Sequence, residues 1–277
     1  MFRLINAESY KLKKSKSFFI CSIVMVCFVL LLFGMLFLAD GIQKGNFENG
    51  TGGVTITKNG SDIDSASGSI FDEINLMDIL QQVFSGSMMS CTLAIFVSIF
   101  VIGEFGSGMI KNIVGKGCSK TAIYLSKLFM TALASICIAL AGVLTLLLFG
   151  RIFIGAQAFS NTFWHNFFIY TGIQLLIVVS LSALFMLTSE LCRTTAGGIS
   201  LNIGIIVLSS LLMGGLDAIY TAQKIKPSQF WIISQSERLP LEGFTASSVT
   251  QSLLVAVFWF VLTTLLGIWH FRKSDIK

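Results

Sequence analysis

The chain is 277 residues long and carries a formal net charge of +5. It is 54% hydrophobic and only 12% charged, with a mean hydropathy of +0.83. Soluble domains run at about a quarter charged residues, so this composition excludes a water-facing surface for most of the chain. No basic face with interleaved aromatics accompanies the positive charge, so nucleic acid is not among the expected partners.

The first dozen residues form their own unit. Phe2, Ile5, Ser9 and Leu12 fall at helical spacing, while Arg3, Glu8, Lys11, Lys13 and Lys14 cover the rest. This pattern predicts an amphipathic interfacial helix over 1–16, apolar face down, with its lysines near anionic membrane lipid. A solvated basic leader that only fixes topology is the plainer alternative. Six long apolar blocks follow: Phe18 to Leu38, Val83 to Ile102, Tyr124 to Phe149, Phe167 to Thr188, Ile199 to Leu216 and Ser252 to Phe271. Each is near the ~20 residues a helix needs to cross a hydrocarbon core of ~30 Å. Inside that core every backbone amide must be satisfied within its own element, and the blocks lack strand-like alternation. The expected fold class is therefore an all-α membrane protein of six transmembrane helices, one domain over 1–277. The first block exceeds the ~7–15 apolar residues of a signal peptide, and no cleavage site follows promptly, so it reads as a retained helix.

Between the first two blocks, the outer segment 40–80 is acidic and rich in Gly, Ser, Asn and Asp. Asn49-Gly50 and Asn59-Gly60 flank Val54-Thr55-Ile56-Thr57, a turn-strand-turn pattern. Both asparagines also match the glycosylation sequon, but nothing else marks a secretory-pathway chain. The third block carries the small residues Ala132, Ser135, Ala139 and Gly142, and the fifth carries Ser200 and Gly204. Such stripes allow close helix approach, within a subunit or between subunits. The outer segment 217–250 is interrupted by Pro227 and Pro240, and its apolar centre, Gln229 to Ile233, is too short to span. It is expected to be re-entrant or interfacial, with Trp231 at headgroup level.

Arg3, Lys11, Lys13, Lys14 and Lys16 precede the first block. Lys111, Lys116, Lys120 and Lys127 cluster after the second, Arg193 after the fourth, and Arg272, Lys273 and Lys277 at the end. The alternate connections hold fewer cations, so positive-inside bias puts both termini in the cytoplasm.

The chain lacks the parts of an enzyme. The nearest approach to a phosphate-binding loop, Gly115-Lys116-Gly117, has Ile110 in place of the first glycine and no Ser/Thr after the lysine. His165 and His270 fall at opposite membrane faces, the six cysteines are irregularly spaced, and no Ser/His/Asp set forms. No catalytic residue, metal ligand or cofactor site is expected. Asp78, Glu104, Arg151 and Glu190 all lie at block ends, which argues against ion coupling through a buried carboxylate. The energy source is expected outside the chain.

One polar, glycine-rich stretch bears on function: Gly103-Glu104-Phe105-Gly106-Ser107-Gly108-Met109-Ile110-Lys111-Asn112, followed by Lys116-Gly117-Cys118-Ser119-Lys120 and by Tyr124-Leu125-Ser126-Lys127. With the opening Leu4-Ile5-Asn6-Ala7-Glu8-Ser9-Tyr10-Lys11, it resembles the first cytoplasmic loop and N-terminal helix of ABC-2-type transporter permeases. Lysine at 120, where family members often carry arginine, is a departure. The resemblance implies an ABC-2, type V exporter-like permease fold and a transport subunit that is not itself an enzyme. ATP and magnesium would bind a separate cytosolic ABC ATPase, and a second permease chain, identical or related, would complete the pathway in a bacterial cell membrane. Segment 104–121 would couple to the ATPase. Glu104 would accept hydrogen bonds or pair with a cation, Phe105 would anchor, Gly106 and Gly108 would permit close approach, and Lys111 would add charge. Glu8, Tyr10 and Lys11 would be contacts from the N-terminal helix. An ordinary tight loop ending in a carboxylate would carry the same residues. Among relatives, the chain resembles permeases of bacitracin-type and lantibiotic-immunity exporters. That implies an amphipathic or hydrophobic cargo such as an antimicrobial peptide, with no substrate-binding residue marked. A channel or secondary transporter, and a non-transporting peptide-sensing scaffold, stand as the alternatives.

Overall fold

The computed structural model describes residues 2–48, 56–58, 61–63, 76–85, 87–106, 119–154, 161–192, 194–219, 226–236 and 246–273. Helix α1 (Phe2–Lys14) leads, after Ser15, into α2 (Lys16–Glu48). A short antiparallel hairpin, β1 (Ile56–Lys58) with β2 (Ser61–Ile63), pairs Ile56 with Ile63 and Lys58 with Ser61. Then come α3 (Leu76–Ser85), α4 (Ser87–Gly106), α5 (Lys120–Phe153), α6 (Asn161–Cys192) and α7 (Thr195–Ile219). A 3-10 turn at Pro227–Phe230 and a helical turn at 232–236 precede α8 (Ala246–Lys273). The predicted strand is thus one half of a hairpin. The sequons at Asn49 and Asn59, Pro240, Arg193 and Cys118 lie outside the described residues.

Six stretches are long and apolar enough to cross a membrane: Lys16–Ile42, Leu76–Gly103, Lys120–Phe153, Phe163–Cys192, Thr195–Ile219 and Ser247–Lys273. The all-α fold class with six spanning helices holds. At 1.5 Å per residue, α5 is about 50 Å long, well beyond the hydrocarbon thickness, so its ends stand clear of the lipid core. Its start is fixed by Ser119, whose side chain accepts from the Ala122 amide and satisfies one of the orphan donors of the first turn.

Helix α6 is the hub, packing against α4, α5, α7 and α8. Its Tyr170, Ile177, Ala183, Phe185 and Met186 are buried, as are Leu93, Phe96 and Val97 of α4. By contrast α2, α7 and α8 turn large apolar side chains outward, among them Phe19, Leu31, Leu208, Leu211, Phe258 and Leu265. Apolar residues all round a helix are what a span needs when one side meets protein and the other lipid. Hydroxyls within the spans fall back on their own helices: Ser22 donates to Phe18 O, Thr131 to Lys127 O, Ser135 to Thr131 O and Thr145 to Ala141 O. With those bonds made, a hydroxyl does not carry the cost of an unsatisfied polar group.

The small stripe of α5 packs inside the chain. A Cβ at Gly142 would meet Met25 Cε of α2 at 3.3 Å and Val83 of α3 at 3.8 Å, and one at Gly150 would overlap Leu76 of α3. Around Gly204 of α7 nothing approaches within 4 Å, so that stripe faces outward. Neighbouring spans run in alternating directions. The first and third spans, α2 and α5, run parallel: Met25 lies against Gly142, and Phe33, two turns on, stacks on Phe153 at the end of α5 with ring centroids 5.9 Å apart. Lys120 at the start of α5 donates to Arg272 O near the end of α8. One end of the bundle therefore gathers α1, the ends of α4, α6 and α8, and the starts of α5 and α7.

Candidate functional site

At that end α1 lies against α5. Its inward face is Ile5, Glu8 and Leu12: Ile5 packs on the core, and Glu8 and Leu12 are buried. Burying Glu8 is offset by Lys11, whose Nζ sits 3.2 Å from its carboxylate one helical turn on. Tyr10 points the other way and is 68% exposed. The three expected contact residues of α1 are thus divided, with Tyr10 open on the surface and Glu8 turned into the protein beside Lys11. The face expected to lie on lipid carries Leu12 into the bundle.

Glu104, Phe105 and Gly106 are the closing residues of α4. Gly108 and Lys111 lie outside the described residues, as does 107–118 of the predicted coupling segment. What the structure adds is the manner in which α4 is held just before that segment. Asn202 of α7 is fully buried. Its Nδ2 donates to Ser98 Oγ of α4 at 2.9 Å, and to Ser189 Oγ and Phe185 O of α6 at 3.0 and 3.3 Å. Its Oδ1 accepts from Thr188 of α6. Ser98 and Ser189 hydroxyls are 3.2 Å apart, and Ser98 also donates to Ala94 O. One amide therefore ties three helices together, with both its oxygen and its nitrogen used.

One turn further along α4, Lys127 of α5 donates to Val101 O at 3.4 Å. The sequence placed Lys127 among cytoplasmic lysines; it is buried, 3% exposed, inside the first two turns of α5. Glu190 of α6 and Tyr124 of α5 are buried at the same end. Ile102, the next residue of α4, fits against Gly198 of α7, where an added Cβ would come within 2.5 Å of its Cδ1. Gly267 of α8 leaves room for Tyr124, whose hydroxyl an added Cβ would overlap.

At the opposite end the segment between α7 and α8 docks on the bundle without spanning it. Ile232 and Ile233 are buried. Gln174 of α6 donates to Ser236 O at 3.2 Å, Ser252 of α8 to Gln235 Oε1 at 2.9 Å, and Trp259 Nε1 to Phe230 O at 2.8 Å. Trp231 is half-buried, edge-on to Trp259 at 4.8 Å. Asp217 accepts from the Ser228 hydroxyl and amide at the start of the segment.

Sequence reasoning missed the Asn202 cluster. The signal that marks it is Asn202 itself, the one carboxamide in the block Ile199 to Leu216. Among the described residues no group of His, Cys, Asp and Glu is placed to hold a metal ion. The bonds at this end can hold helices in register, and they contain no nucleophile–base pair.

The sequence model of a family described as ABC-2 family transporter protein matches residues 4–209, well over half of the chain. Among curated proteins none matches.

Proposed function

The chain belongs to the ABC-2 family of transporter proteins, and on that premise we propose that it is the membrane subunit of an ATP-driven exporter of amphipathic peptides. Membership makes it a multi-pass permease subunit of an ABC transporter, from a family that pairs with an ABC ATPase. The finer reading puts both termini in the cytoplasm, the ATPase against α1 and segment 104–121, and a second permease chain beside this one. Glu104, Phe105, Gly106, Gly108 and Lys111 would dock in a groove of the ATPase, with Tyr10 contributing from α1 beside the Glu8–Lys11 pair. ATP and magnesium would reside in that partner.

The observation that carries the reading is the end of α4. It closes in Glu104-Phe105-Gly106 at the same end of the bundle as α1. A soluble motor approaching that end meets both elements at once. An acidic outer segment, 40–80, favours a cationic cargo by attraction. The scarcity of ionisable side chains at mid-membrane depth suits one that partitions into lipid.

The test uses the chain purified with the ATPase encoded beside it, and cells expressing the pair challenged with graded cationic amphipathic peptides such as bacitracin. Glu104→Ala and Phe105→Ala are expected to insert normally and to abolish peptide protection, and Glu104→Ala to uncouple ATP turnover from the permease. Full protection by both variants refutes the coupling assignment. Transport by the chain alone in liposomes refutes the dependence on an ATPase.

A further inference from the structure

Helix α8 presents a continuous outward stripe. Phe258, Val261, Leu265 and Trp269 fall at spacings of three and four and are all exposed, Trp269 to 64%. The same face closes in Arg272 and Lys273, both exposed. From Phe258 to Trp269 the stripe runs about 16 Å at ~1.5 Å per residue, close to one leaflet, which is half of a ~30 Å core. A tryptophan at the end of such a stripe suits the headgroup level. Three cations meet beside it. Lys273 Nζ sits over the Trp269 ring, 5.5 Å from its centroid, a cation–π arrangement. Lys120, at the start of α5, donates to Arg272 O at 3.3 Å. That oxygen is one of the last carbonyls of α8, which have no acceptor role within the helix. Among the described residues neither Arg272 nor Lys273 pairs with a carboxylate. At this end Glu8 is buried beside Lys11, and Glu190 is buried in α6.

We propose that Lys120, Trp269, Arg272 and Lys273 form a binding site for one anionic phospholipid, with the cations on its phosphate and an acyl chain along Leu265, Val261 and Phe258. The Arg272 guanidinium offers a planar fork that matches two phosphate oxygens, and the two ammonium groups add point charges. Like charges gathered at one helix end repel each other, and a bound anion removes that cost. A zwitterionic headgroup brings its own cation to the same place, so net charge selects the lipid. The cations stand at the end of a stripe as long as a leaflet is deep, so a ligand that reaches them from the bilayer has its chains already laid. Lysines that only fix topology need no partner helix. Here the bond from Lys120 holds the α5 cation against the same turn of α8 that carries Arg272 and Lys273, and the lipid bridges the two helices.

The test uses the full chain purified with its ATPase, delipidated in detergent and titrated with phosphatidylglycerol or phosphatidylcholine, with bound lipid counted by native mass spectrometry. The parent is expected to retain a first phosphatidylglycerol at concentrations where phosphatidylcholine does not bind. One cation beside an anionic lipid is worth about fivefold, so Arg272→Gln weakens that first lipid about fivefold and Arg272→Gln with Lys273→Gln about 25-fold. Arg272→Lys, which keeps the charge and loses the fork, weakens it about twofold. Lys13→Gln with Lys14→Gln removes two charges from exposed residues of α1 at the same end and leaves the first lipid in place. Millimolar glycerol phosphate, the headgroup chemistry without chains, does not displace it. An equal loss in the α1 variant reduces the effect to general surface attraction and overturns the site, as does equal affinity of the parent for the two lipids. Displacement by glycerol phosphate overturns the role of the stripe. An α8 variant that keeps the lipid and sheds the ATPase gives these cations to the motor and overturns the proposal as well.

Discussion

Replacing Asn202 with alanine removes the two donors of its Nδ2, shared among Ser98, Ser189 and Phe185 O, and the oxygen that accepts from Thr188. Side-chain hydrogen bonds between membrane helices average about 0.6 kcal/mol each, so three amount to roughly 1.8 kcal/mol. The cavity left by three heavy atoms, on the order of 25 Å³, adds about 0.6 kcal/mol at ~24 cal/mol per Å³. A loss of ~2.4 kcal/mol, at ~2–4 °C per kcal/mol for a chain of this size, lowers the midpoint by about 5–10 °C. The assay is size-exclusion recovery of detergent-solubilised protein after heating. Ser98→Ala is expected to cost less than ~1 kcal/mol, because Asn202 keeps its partners on α6. The double variant should fall short of the sum, as it does for residues sharing a bond. Asn202→Leu should regain at least half of the loss, since Ser98 and Thr188 retain the carbonyls of their own helices. A midpoint for Asn202→Ala within 1 °C of the parent refutes the buried network.

Gly142→Ala should be tolerated within about 1 kcal/mol, because the atom it meets is the flexible end of Met25, whereas Gly142→Leu should cost about 1–3 kcal/mol through overpacking; equal midpoints would contradict the packing of α2 on α5. Gly204→Ala, with open space around it, should leave the midpoint unchanged or raise it by the ~1 kcal/mol of helix propensity, and a fall would show that α7 meets protein there. A membrane-impermeant maleimide applied to intact cells should label a cysteine introduced at Lys58 and spare one introduced at Thr195; the reverse pattern inverts the assigned orientation. Trp259→Phe should cost about 1 kcal/mol through loss of the bond to Phe230 O and should expose Trp231 to aqueous quenchers, and unchanged quenching would contradict the docking of the segment between α7 and α8.

The spans were legible in the sequence because the bilayer imposes a length and leaves no alternative to backbone satisfaction within the helix. Their ends were not. The run Tyr124 to Phe149 became α5 from Lys120 to Phe153, since a helix continues past the lipid boundary wherever protein covers it and a cap such as Ser119 is available. Lys127 marks the consequence. Counted by position it is one more basic residue for the positive-inside rule; in the fold it is buried and donates to Val101 O of α4. The hairpin was half visible, because the Asn-Gly pair signals a turn next to Ile56–Lys58 while the partner strand, Ser61–Ile63, has no apolar alternation.

The resemblance assigns coupling to 104–121 from residue types alone, and nothing in that segment specifies how the helix before it is held. The grip on α4 is written in residues nearly a hundred positions apart, Ser98 with Ser189 and Asn202, each unremarkable on its own stretch of helix. Serine is tolerated in a span because its hydroxyl finds its own i−4 carbonyl, so Ser98 carries no signal of a partner. Asn202 differs in kind. A carboxamide has two donors and an acceptor and cannot meet them from its own helix, so in an apolar block it requires a neighbour. That rule, applied to each of the six apolar blocks of the sequence in turn, selects Asn202 in the fifth and Gln174 in the fourth. Both turn out to be buried and bonded across helices, one at each end of the bundle. In a chain with few charges the carboxamides, more than the carboxylates, mark where helices are held to one another.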